Sequence, residues 1–437
     1  MSSKTSPSKA RPGRLQMFTP ACEPIERSPD MAPVEFIVHT KHLVGFRRAA
    51  KGRILEVPRK FGRVLRELLK RHGFLHMLSI LTSRSDLYGL QGLVERNLQR
   101  RKIRLPGLYG NVLVGWIYQR IALLRARLFA ALIADYFADH PRAHALVFNG
   151  FLMPDALTLA VANHLQRSRL VAELGFFPDT LQYDVRGINF GSSLPRDPHF
   201  YRPLADRLPL EKPQDLVRRK PKQKGHSTDT LPSNYIFVPM QVPSDMQILV
   251  HSPWIRNMVH LYETLLALAE RHPERHFVVK EHPSFPLSIR SHIVPHQRIR
   301  FANHNDTREL IEGAEAVITV NSTVGLEAIL LGKKVITLGD APYNVEGLVL
   351  HARGLGELSK NLSSLPSWEP DDTLRDLFLR YVYNVFLLRG DRHNPTEEMM
   401  EAIRLRAEQA DLHHRYLSEF AANRAPSENS LEGKLTI

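Results

Sequence analysis

The sequence predicts an α/β protein with two domains that enclose a cleft. From residue 235 onwards, short apolar strands alternate with helices, which is typical of a doubly wound parallel sheet covered on both faces. A similar alternation of helix and strand runs from about Leu108 to Phe177. Between these regions, the segment from Glu211 to Ser233 is rich in Pro, Lys, Gln and Ser without apolar periodicity, so it predicts a linker.

A chain of 437 residues is long enough for two or three domains. The composition predicts, in order, a disordered basic tail, an N-terminal α/β domain, the linker, a C-terminal Rossmann-like domain, C-terminal helices that pack back, and a second tail. The predicted boundaries are 1–33, 34–210, 211–233, 234–371, 372–425 and 426–437.

The N-terminal half predicts few elements before residue 105, apart from an amphipathic helix around 61–78. A long helix, a strand, a helix and a strand follow, over about 108–139, 145–150 (ALVFNG), 154–166 and 169–177 (RLVAELGFF). The segment 184–203 is rich in Gly, Asn, Ser and Pro and predicts a loop. Loops at strand ends are where sites are usually built.

The C-terminal half predicts a regular parallel sheet. Its strands are YIFVPMQV (235–242), HFVVKEH (276–282), RIRFAN (298–303), AVITV (316–320) and KVITLG (334–339). Helices are predicted over 253–271, 307–314 and 322–331, and a helical region over about 372–419 follows. Because ligands of such sheets bind beyond the carboxyl ends of the strands, we expect the site there.

The formal charge of +14 and the pI of about 9.9 indicate an anionic partner. Basic residues cluster at Arg96–Arg104 and at Arg218–Lys224, and the alternative is that both are solvated surface or linker. No aromatic residues are interleaved with them and no nucleic-acid-binding signature is nearby, so we expect an anionic lipid surface rather than nucleic acid.

The single cysteine, Cys22, excludes an intramolecular disulfide framework and any multi-cysteine metal site. The N-terminal residues lack the apolar core of a secretory signal, so the expected location is the cytoplasm. The best candidate for a membrane span, Val112 to Ala138, contains a glutamine and three arginines. It therefore predicts a long helix of the folded domain.

Two strand ends carry residues suited to a phosphate. After FVVKE, His282 can donate a hydrogen bond to a phosphate oxygen, Lys280 adds positive charge and Pro283 fixes the turn. The alternative is a turn histidine satisfied by the backbone.

The strand AVITV ends in Asn321, Ser322 and Thr323, where a helix begins and its N-terminus favours an anion. Gly325 allows a close approach, and Glu327 can accept hydrogen bonds from ribose hydroxyls. The alternative is simple capping of a core helix.

These blocks, together with FVPMQVPSDMQIL (237–249) and VAELGFFPDTLQYDVRGINFGSSLP (171–195), resemble bacterial capsular-polysaccharide biosynthesis proteins that act as β-Kdo transferases. The resemblance covers roughly residues 145–350. It implies a GT-B-like fold, CMP-Kdo as the donor substrate and no cofactor. The C-terminal Rossmann-like domain would bind the nucleotide sugar and the N-terminal domain the acceptor.

The resemblance also implies roles for residues of the C-terminal domain. His282 would bind the CMP phosphate with help from Ser322 and Thr323, and Glu327 would hold the ribose. Gln241 and Asp245 would contact the nucleotide or the surroundings of the sugar carboxylate, although a polar pair after a strand is otherwise a solvated turn.

A β-linked product from a β-linked donor retains configuration, so double displacement requires a carboxylate nucleophile. The resemblance favours Glu173, with Asp184 and Asp155 as further candidates. Asn189, Ser192 and Ser193, on the following loop, would bind the acceptor or Kdo hydroxyls, unless they only form a turn.

The function that we expect is therefore transfer of Kdo to a phosphatidylglycerol-type or Kdo-lipid acceptor in capsule linker synthesis. The enzyme would lie at the cytoplasmic face of the inner membrane, without a metal, and other capsule assembly proteins are expected as further partners. Two alternatives stay open. One is a transferase or epimerase of the same fold that uses another nucleotide sugar, and the other is a non-catalytic partner in capsule assembly or polysaccharide export.

Overall fold

The computed structural model describes residues 34–40, 42–50, 52–82, 85–216, 228–285 and 287–424. The predicted tails, Cys22 and the basic cluster Arg218–Lys224 lie outside the described residues, as does part of the predicted linker. The predicted domain boundaries stay a prediction.

The described strands form two sheets of six strands each. The N-terminal sheet has the order β12-β5-β4-β3-β1-β2, in which β1 to β4 are parallel and β5 and β12 run antiparallel to their neighbours. Its strands are β1 (Phe36–Val38), β2 (Ile54–Glu56), β3 (His144–Phe148), β4 (Arg169–Leu174), β5 (Thr180–Asp184) and β12 (Leu388–Arg389).

The C-terminal sheet is parallel throughout and has the order β11-β10-β9-β6-β7-β8. Counted from β6, this is the 3-2-1-4-5-6 order of doubly wound nucleotide-binding sheets. Its strands are β6 (Ile236–Pro239), β7 (Phe277–Lys280), β8 (Ile299–Phe301), β9 (Ala316–Thr319), β10 (Lys334–Thr337) and β11 (Leu350–His351). The predicted α/β, GT-B-like fold with two Rossmann-like sheets is confirmed.

Helices cover the sheets and return the chain to the N-terminal half. They are α1 (Val44–Ala49), α2 (Phe61–Thr82), α3 (Leu90–Arg104), α4 (Pro106–Tyr109), α5 (Val112–Asp139), α6 (Asp155–His164), α7 (Pro198–Tyr201), α8 (Met246–His251), α9 (Met258–Arg271), α10 (Thr307–Glu312), α11 (Thr323–Leu330), α12 (Leu355–Ser364), α13 (Asp372–Tyr381), α14 (Glu397–Ala407) and α15 (Leu412–Arg424). Short 3-10 turns lie at Asn189–Gly191, Arg202–Leu204 and Ile289–His292, and a π-helical turn spans Val382–Phe386.

The predicted helix around 61–78 is α2, which bends at Gly73, where φ is 76°. Glycine adopts this conformation without a steric penalty. No helix in the described part of the chain is both long and apolar enough to span a bilayer.

The C-terminal segment is fixed to the N-terminal sheet by Arg406 of α14. This side chain is fully buried and donates hydrogen bonds to the carbonyl oxygens of Tyr183 (2.8 Å), Phe386 (2.9 Å) and Val385 (2.9 Å), and it pairs with Asp411. Burial favours the neutral form of Asp411, but its hydrogen bond with His414 and the charge of Arg406 together hold the pKa of its carboxyl below the usual range. The expected return of the C-terminal helices is therefore confirmed, and a buried arginine stabilises it.

Candidate functional site

The carboxyl edges of the two sheets face one cavity of about 350 Å³, which we call the cleft cavity. Both sheets contribute polar side chains to its wall. The N-terminal half contributes Asn149, Glu173, Gln182 and Asn189, and the C-terminal half contributes Gln241, Asp245, Lys280, His282, Pro283, Asn321, Ser322 and Thr323. The structure thus brings together most of the site residues that the sequence predicts, and their roles stay predictions.

Gln241 and Asn321 lie at the topological switch point of the C-terminal sheet. They follow β6 and β9, neighbouring strands from which the chain leaves in opposite directions. The Gln241 amide donates to the Asn321 side-chain oxygen (2.9 Å), and the Asn321 backbone N–H donates to Gln241 Oε1 (3.2 Å). The Asn321 amide donates to the carbonyl oxygens of Gln247 and His251, both at 3.0 Å. These two side chains therefore position the loops around the cavity.

Helix α11 begins at the cavity wall. Ser322 is its N-cap, and its hydroxyl oxygen accepts a hydrogen bond from the Val324 N–H at 3.2 Å. Thr323, the first helical residue, also lines the cavity. The positive end of the helix dipole and its N-terminal N–H groups favour an anion at this wall.

The ring of His282 is oriented by Ser284. Nδ1 accepts a hydrogen bond from the Ser284 backbone N–H at 3.2 Å and lies 2.8 Å from the Ser284 hydroxyl. Because Nδ1 acts as the acceptor, the proton of the neutral ring is on Nε2. This tautomer makes Nε2 a donor, which is the role that a phosphate oxygen requires.

Lys280 differs from its predicted role in one respect. Its side chain is buried and lines the cavity, but its ammonium group donates to the carbonyl oxygen of Asn305. The neighbouring Glu281 accepts hydrogen bonds from the Ile289 N–H (2.8 Å) and the Asn303 amide (2.9 Å). The charged strand end thus also organises the loops behind the cavity.

Glu173, near the end of β4, is the carboxylate of the N-terminal wall. Its Oε2 accepts a hydrogen bond from the Asn149 amide at 2.6 Å, and its Oε1 accepts one from the Leu174 N–H at 2.8 Å. Burial raises the pKa of this carboxyl, the two hydrogen bonds oppose the rise, and the negative charge of Asp245 adds to it. Asn149, which the sequence analysis missed, has φ of 68°, a conformation that asparagine tolerates better than most residues.

Asp184 is not placed for the catalytic role that was predicted as an alternative to Glu173. It is fully buried, does not line the cavity, and accepts hydrogen bonds from the N–H groups of Arg186 (2.7 Å), Gly187 (3.2 Å) and Ser193 (2.9 Å). The Ser193 hydroxyl also contacts it and lies 2.8 Å from His413 Nε2. Asp184 and Ser193 therefore hold the loop after β5 in shape.

The loop itself reaches the cavity through Asn189. The Ser192 hydroxyl, which was predicted to bind substrate, donates to the Asn189 carbonyl oxygen at 2.6 Å and does not line the cavity. The Asn189 backbone N–H donates to Gln182 Oε1 at 2.9 Å. Asn189 is thus the member of the predicted group Asn189, Ser192 and Ser193 that a ligand in the cleft cavity would meet.

Gly325 and Glu327 also lie behind the cavity wall. A Cβ atom at Gly325 would come within 2.2 Å of the Tyr343 hydroxyl, so the close approach at this glycine is to a neighbouring side chain. Glu327 is 1% exposed and does not line the cavity. The structure does not bring Glu327 to the place that a ribose contact requires.

Within the described ranges, no group of three or more His, Cys, Asp or Glu residues is arranged to hold a metal ion. That the reaction needs no metal stays a prediction.

Two Rossmann-like sheets facing a polar cavity, with a helix N-terminus on one side and a carboxylate on the other, define a protein of GT-B-like fold. The family model described as capsule polysaccharide biosynthesis protein matches residues 219–393. Protein FixF of Sinorhizobium fredii (strain NBRC 101917 / NGR234) is 41% identical over 331 residues, which cover 74% of this chain and 80% of FixF. The chain belongs to the capsule polysaccharide biosynthesis family.

Two further comparisons are more distant. The capsule polysaccharide export protein KpsS of Escherichia coli is 25% identical over 243 residues, which cover 41% of this chain and 62% of KpsS. The solved structure of Thermosulfurimonas dismutans KpsC, beta Kdo 2,4 transferase, is 19% identical, with a TM-score of 0.39 over 56% of this chain and 81% of that one.

Proposed function

We propose that the protein is a retaining glycosyltransferase that moves Kdo from CMP-Kdo to a phosphatidylglycerol-type or Kdo-lipid acceptor in capsule linker synthesis. One observation carries the proposal. A single cavity places the carboxylate of Glu173 on one wall, and His282 with the N-terminus of α11 on the other. The choice of donor and acceptor rests on the resemblance of the sequence blocks to β-Kdo transferases and on the family.

The C-terminal wall suits the phosphate of the donor. His282 Nε2–H is a hydrogen-bond donor, and the N-terminus of α11 adds the positive potential of the helix dipole. Donors aimed at the phosphate stabilise the negative charge that develops on CMP as the bond to the sugar breaks. This wall would therefore hold the leaving group.

The N-terminal wall suits the nucleophile. In the first step, Glu173 attacks the anomeric carbon, the bond to the phosphate oxygen breaks, and CMP leaves with the electron pair. In the second step, an acceptor hydroxyl attacks the sugar ester, its proton passes to a base, and the Glu173 carboxylate is released. Two inversions retain configuration. Since only the ionised carboxylate attacks, the hydrogen bonds from Asn149 and the Leu174 N–H keep Glu173 reactive.

The test is mass spectrometry of the products formed from CMP-Kdo and a fluorescent phosphatidylglycerol-type acceptor. E173Q and H282A should lose turnover while they retain the wild-type unfolding temperature. E263Q and H292A are matched controls, because Glu263 and His292 are exposed and do not line the cleft cavity.

Thermal stabilisation by UDP but not by CMP would contradict CMP-Kdo as the donor and favour another nucleotide sugar. If no donor turns over, and E173Q and H282A still support capsule production in cells, the protein acts as an assembly or export partner.

A further inference from the structure

A second cavity, of about 1090 Å³, lies at the carboxyl edge of the N-terminal sheet. Its wall includes Thr40 after β1 and Asn149 after β3. The chain leaves these two neighbouring strands in opposite directions, so this is the switch point of that sheet. The second cavity shares Asn149, Val242 and Asp245 with the cleft cavity, so the two are adjacent.

Five arginines line this space, which we call the arginine cavity. One precedes α2, three belong to α3 and one belongs to α5, and they are Arg59, Arg100, Arg101, Arg104 and Arg125. None of them has a carboxylate within salt-bridge distance in the part of the chain that the structure describes.

The contacts that these arginines do make are with neutral groups. Arg59 donates to the Thr40 carbonyl oxygen (3.3 Å), Arg101 donates to the Tyr109 hydroxyl (3.0 Å), and Arg125 lies over the ring of Phe61. Burial and the nearby charges of Arg104 and Arg101 lower the pKa of Arg100, as expected for crowded like charges. Their positive charge is therefore available to a ligand.

Two carboxylates face the same space. Asp155 is buried, accepts a hydrogen bond from the Phe148 N–H at 2.9 Å, and has a pKa that burial raises to about 6. Asp245 lies at the boundary with the cleft cavity. Five guanidinium groups exceed two carboxylates, and the net charge of the wall is positive.

We propose that the arginine cavity is the acceptor site and that its arginines bind an acidic group of the acceptor, a phosphate or a carboxylate. The proposal rests on the proposed transferase function. Arginine is well suited to this task, because its planar fork donates two parallel hydrogen bonds to such groups. An acceptor held there would extend its hydroxyl past Asn149 and Asp245 into the cleft cavity, to the face of the sugar that CMP has left, and the volume is large enough for a lipid head group or a sugar acid.

Binding of short-chain lipids tests this site without turnover. The probes are glycerol 1-phosphate, dioctanoylphosphatidylglycerol and the uncharged dioctanoylglycerol, each titrated by calorimetry. We expect R100Q/R104Q to bind dioctanoylphosphatidylglycerol about tenfold more weakly or worse, because two charged hydrogen-bond donors are lost. R63Q/R66Q removes the same charge from exposed positions on α2 and should bind like the wild type. Stabilisation by CMP should be unchanged in both variants.

The three probes and the two variants distinguish the possible results. If glycerol 1-phosphate binds as tightly as dioctanoylphosphatidylglycerol, the anion alone is recognised, and if it binds much more weakly, the lipid contributes. Wild-type affinity in R100Q/R104Q, or equal binding of dioctanoylglycerol, would overturn the acceptor site. If CMP does not stabilise the wild-type protein, the result counts instead against CMP-Kdo as the donor. Failure of the acceptor site and failure of the proposed function are therefore distinguishable.

A separate observation concerns the N-terminal half of α5. Apolar side chains recur there at a spacing of three and four residues and are exposed, with Val112 at 88%, Leu113 at 64% and Trp116 at 53%. We call this set the apolar stripe: Val112, Leu113, Trp116, Ile117, Ile121 and Leu124. Ile121 also lines the arginine cavity, so that cavity opens beside the stripe.

The charges around the apolar stripe select its partner. Arg120 on the same helix lies with its guanidinium 5.5 Å from the centre of the Trp116 ring, and the neighbouring helix α3 carries the predicted basic cluster Arg96–Arg104. Apolar side chains, a tryptophan and flanking arginines together fit the interface of an anionic bilayer. We infer that the apolar stripe docks on such a bilayer and so presents the arginine cavity to its lipids.

Flotation with vesicles tests the docking. The wild-type protein should float with vesicles containing phosphatidylglycerol and much less with pure phosphatidylcholine, and L113E/I117E should lose at least about tenfold in binding because charges at a bilayer are costly. V294E alters an exposed apolar residue outside the stripe and should bind normally. Unchanged binding of L113E/I117E would overturn the docking. So would a wild-type protein that binds no vesicles and forms a dimer that L113E/I117E disrupts, because the stripe would then be an interface between two copies.

Discussion

Replacing Asn149 by glycine tests whether Glu173 is the nucleophile. Asn149 donates to Glu173 Oε2 at 2.6 Å, and a hydrogen bond to a charged group contributes about 1.5–3 kcal/mol. Its loss should shift the ionisation equilibrium of Glu173 roughly 10- to 150-fold toward the protonated form. Because the protonated carboxyl cannot attack, the acid limb of kcat/KM should move to higher pH.

Glycine keeps the backbone free of strain in this variant, since Asn149 has φ of 68°. The matched control is N189G, because Asn189 has φ of 52° and lines the same cavity but bonds to Gln182 rather than to Glu173. The measurement is kcat/KM for CMP-Kdo over a pH series for both variants and the wild type. An acid limb that stays in place in N149G, or that moves equally in N189G, would refute the assignment of Glu173.

Three further predictions concern stability and are read out by chemical unfolding. Burial and Arg59 lower the pKa of His39 to about 4, whereas burial raises that of Asp155 to about 6. The contribution of His39 to the free energy of unfolding therefore falls as the pH falls from 6.5 to 4. The contribution of Asp155 falls as the pH rises through the same window. Relative to the wild type, D155N should therefore lose stability on acidification and H39Q should gain it, each by up to about 3 kcal/mol, and the same change in slope in both variants would contradict the opposed shifts. G325A should cost about 1–3 kcal/mol, because its Cβ would meet the Tyr343 hydroxyl, and a neutral effect would show that Tyr343 moves freely. R406M should cost about 3–5 kcal/mol, because it leaves Asp411 without its buried partner, and a cost below about 1 kcal/mol would mean that the C-terminal segment is held by other contacts.

The C-terminal sheet could be predicted because its information is local. Strands β6, β7, β9 and β10 are largely apolar runs, and the polar residues Gln241, His282 and Asn321 each lie two positions beyond a strand end. In a parallel sheet, these ends meet at one edge whatever the detailed packing. Only β11, with two residues, was too short to give a pattern.

The N-terminal half resisted prediction because its site depends on distant residues. β1 and β2 have three residues each, too few for a clear period, and β5 was not predicted. Separate segments of the chain bring Arg59, Arg100 and Arg125 to one cavity because their helices pack around it. No spacing in the sequence predicts this packing. The available signal was the Arg96–Arg104 cluster, which was interpreted as a contact with an anionic lipid surface and not as part of a cavity wall.

Side-chain partners were a second source of error. Asp184 has the residue type of a nucleophile, but the N–H groups of the loop that follows it and Ser193 satisfy its carboxylate. Lys280 lies at the expected strand end, but its ammonium group donates a hydrogen bond to the carbonyl oxygen of Asn305, which belongs to another loop. Position at a strand end thus predicts which residues lie near a ligand, but not which of them are available to it.

The two switch points together explain the order of the proposed reaction. The donor phosphate would be held beyond β6 and β9 of one sheet, and the acceptor beyond β1 and β3 of the other. Glu173 lies on β4, next to β3, and Asn149 belongs to both cavities. The Kdo ring must therefore lie between Glu173 and the phosphate site before the first step, and CMP departs from the face of the ring opposite Glu173. In the second step, the hydroxyl of an acceptor held in the arginine cavity must reach the sugar ester on that same face, opposite Glu173, so CMP has to leave before the hydroxyl enters.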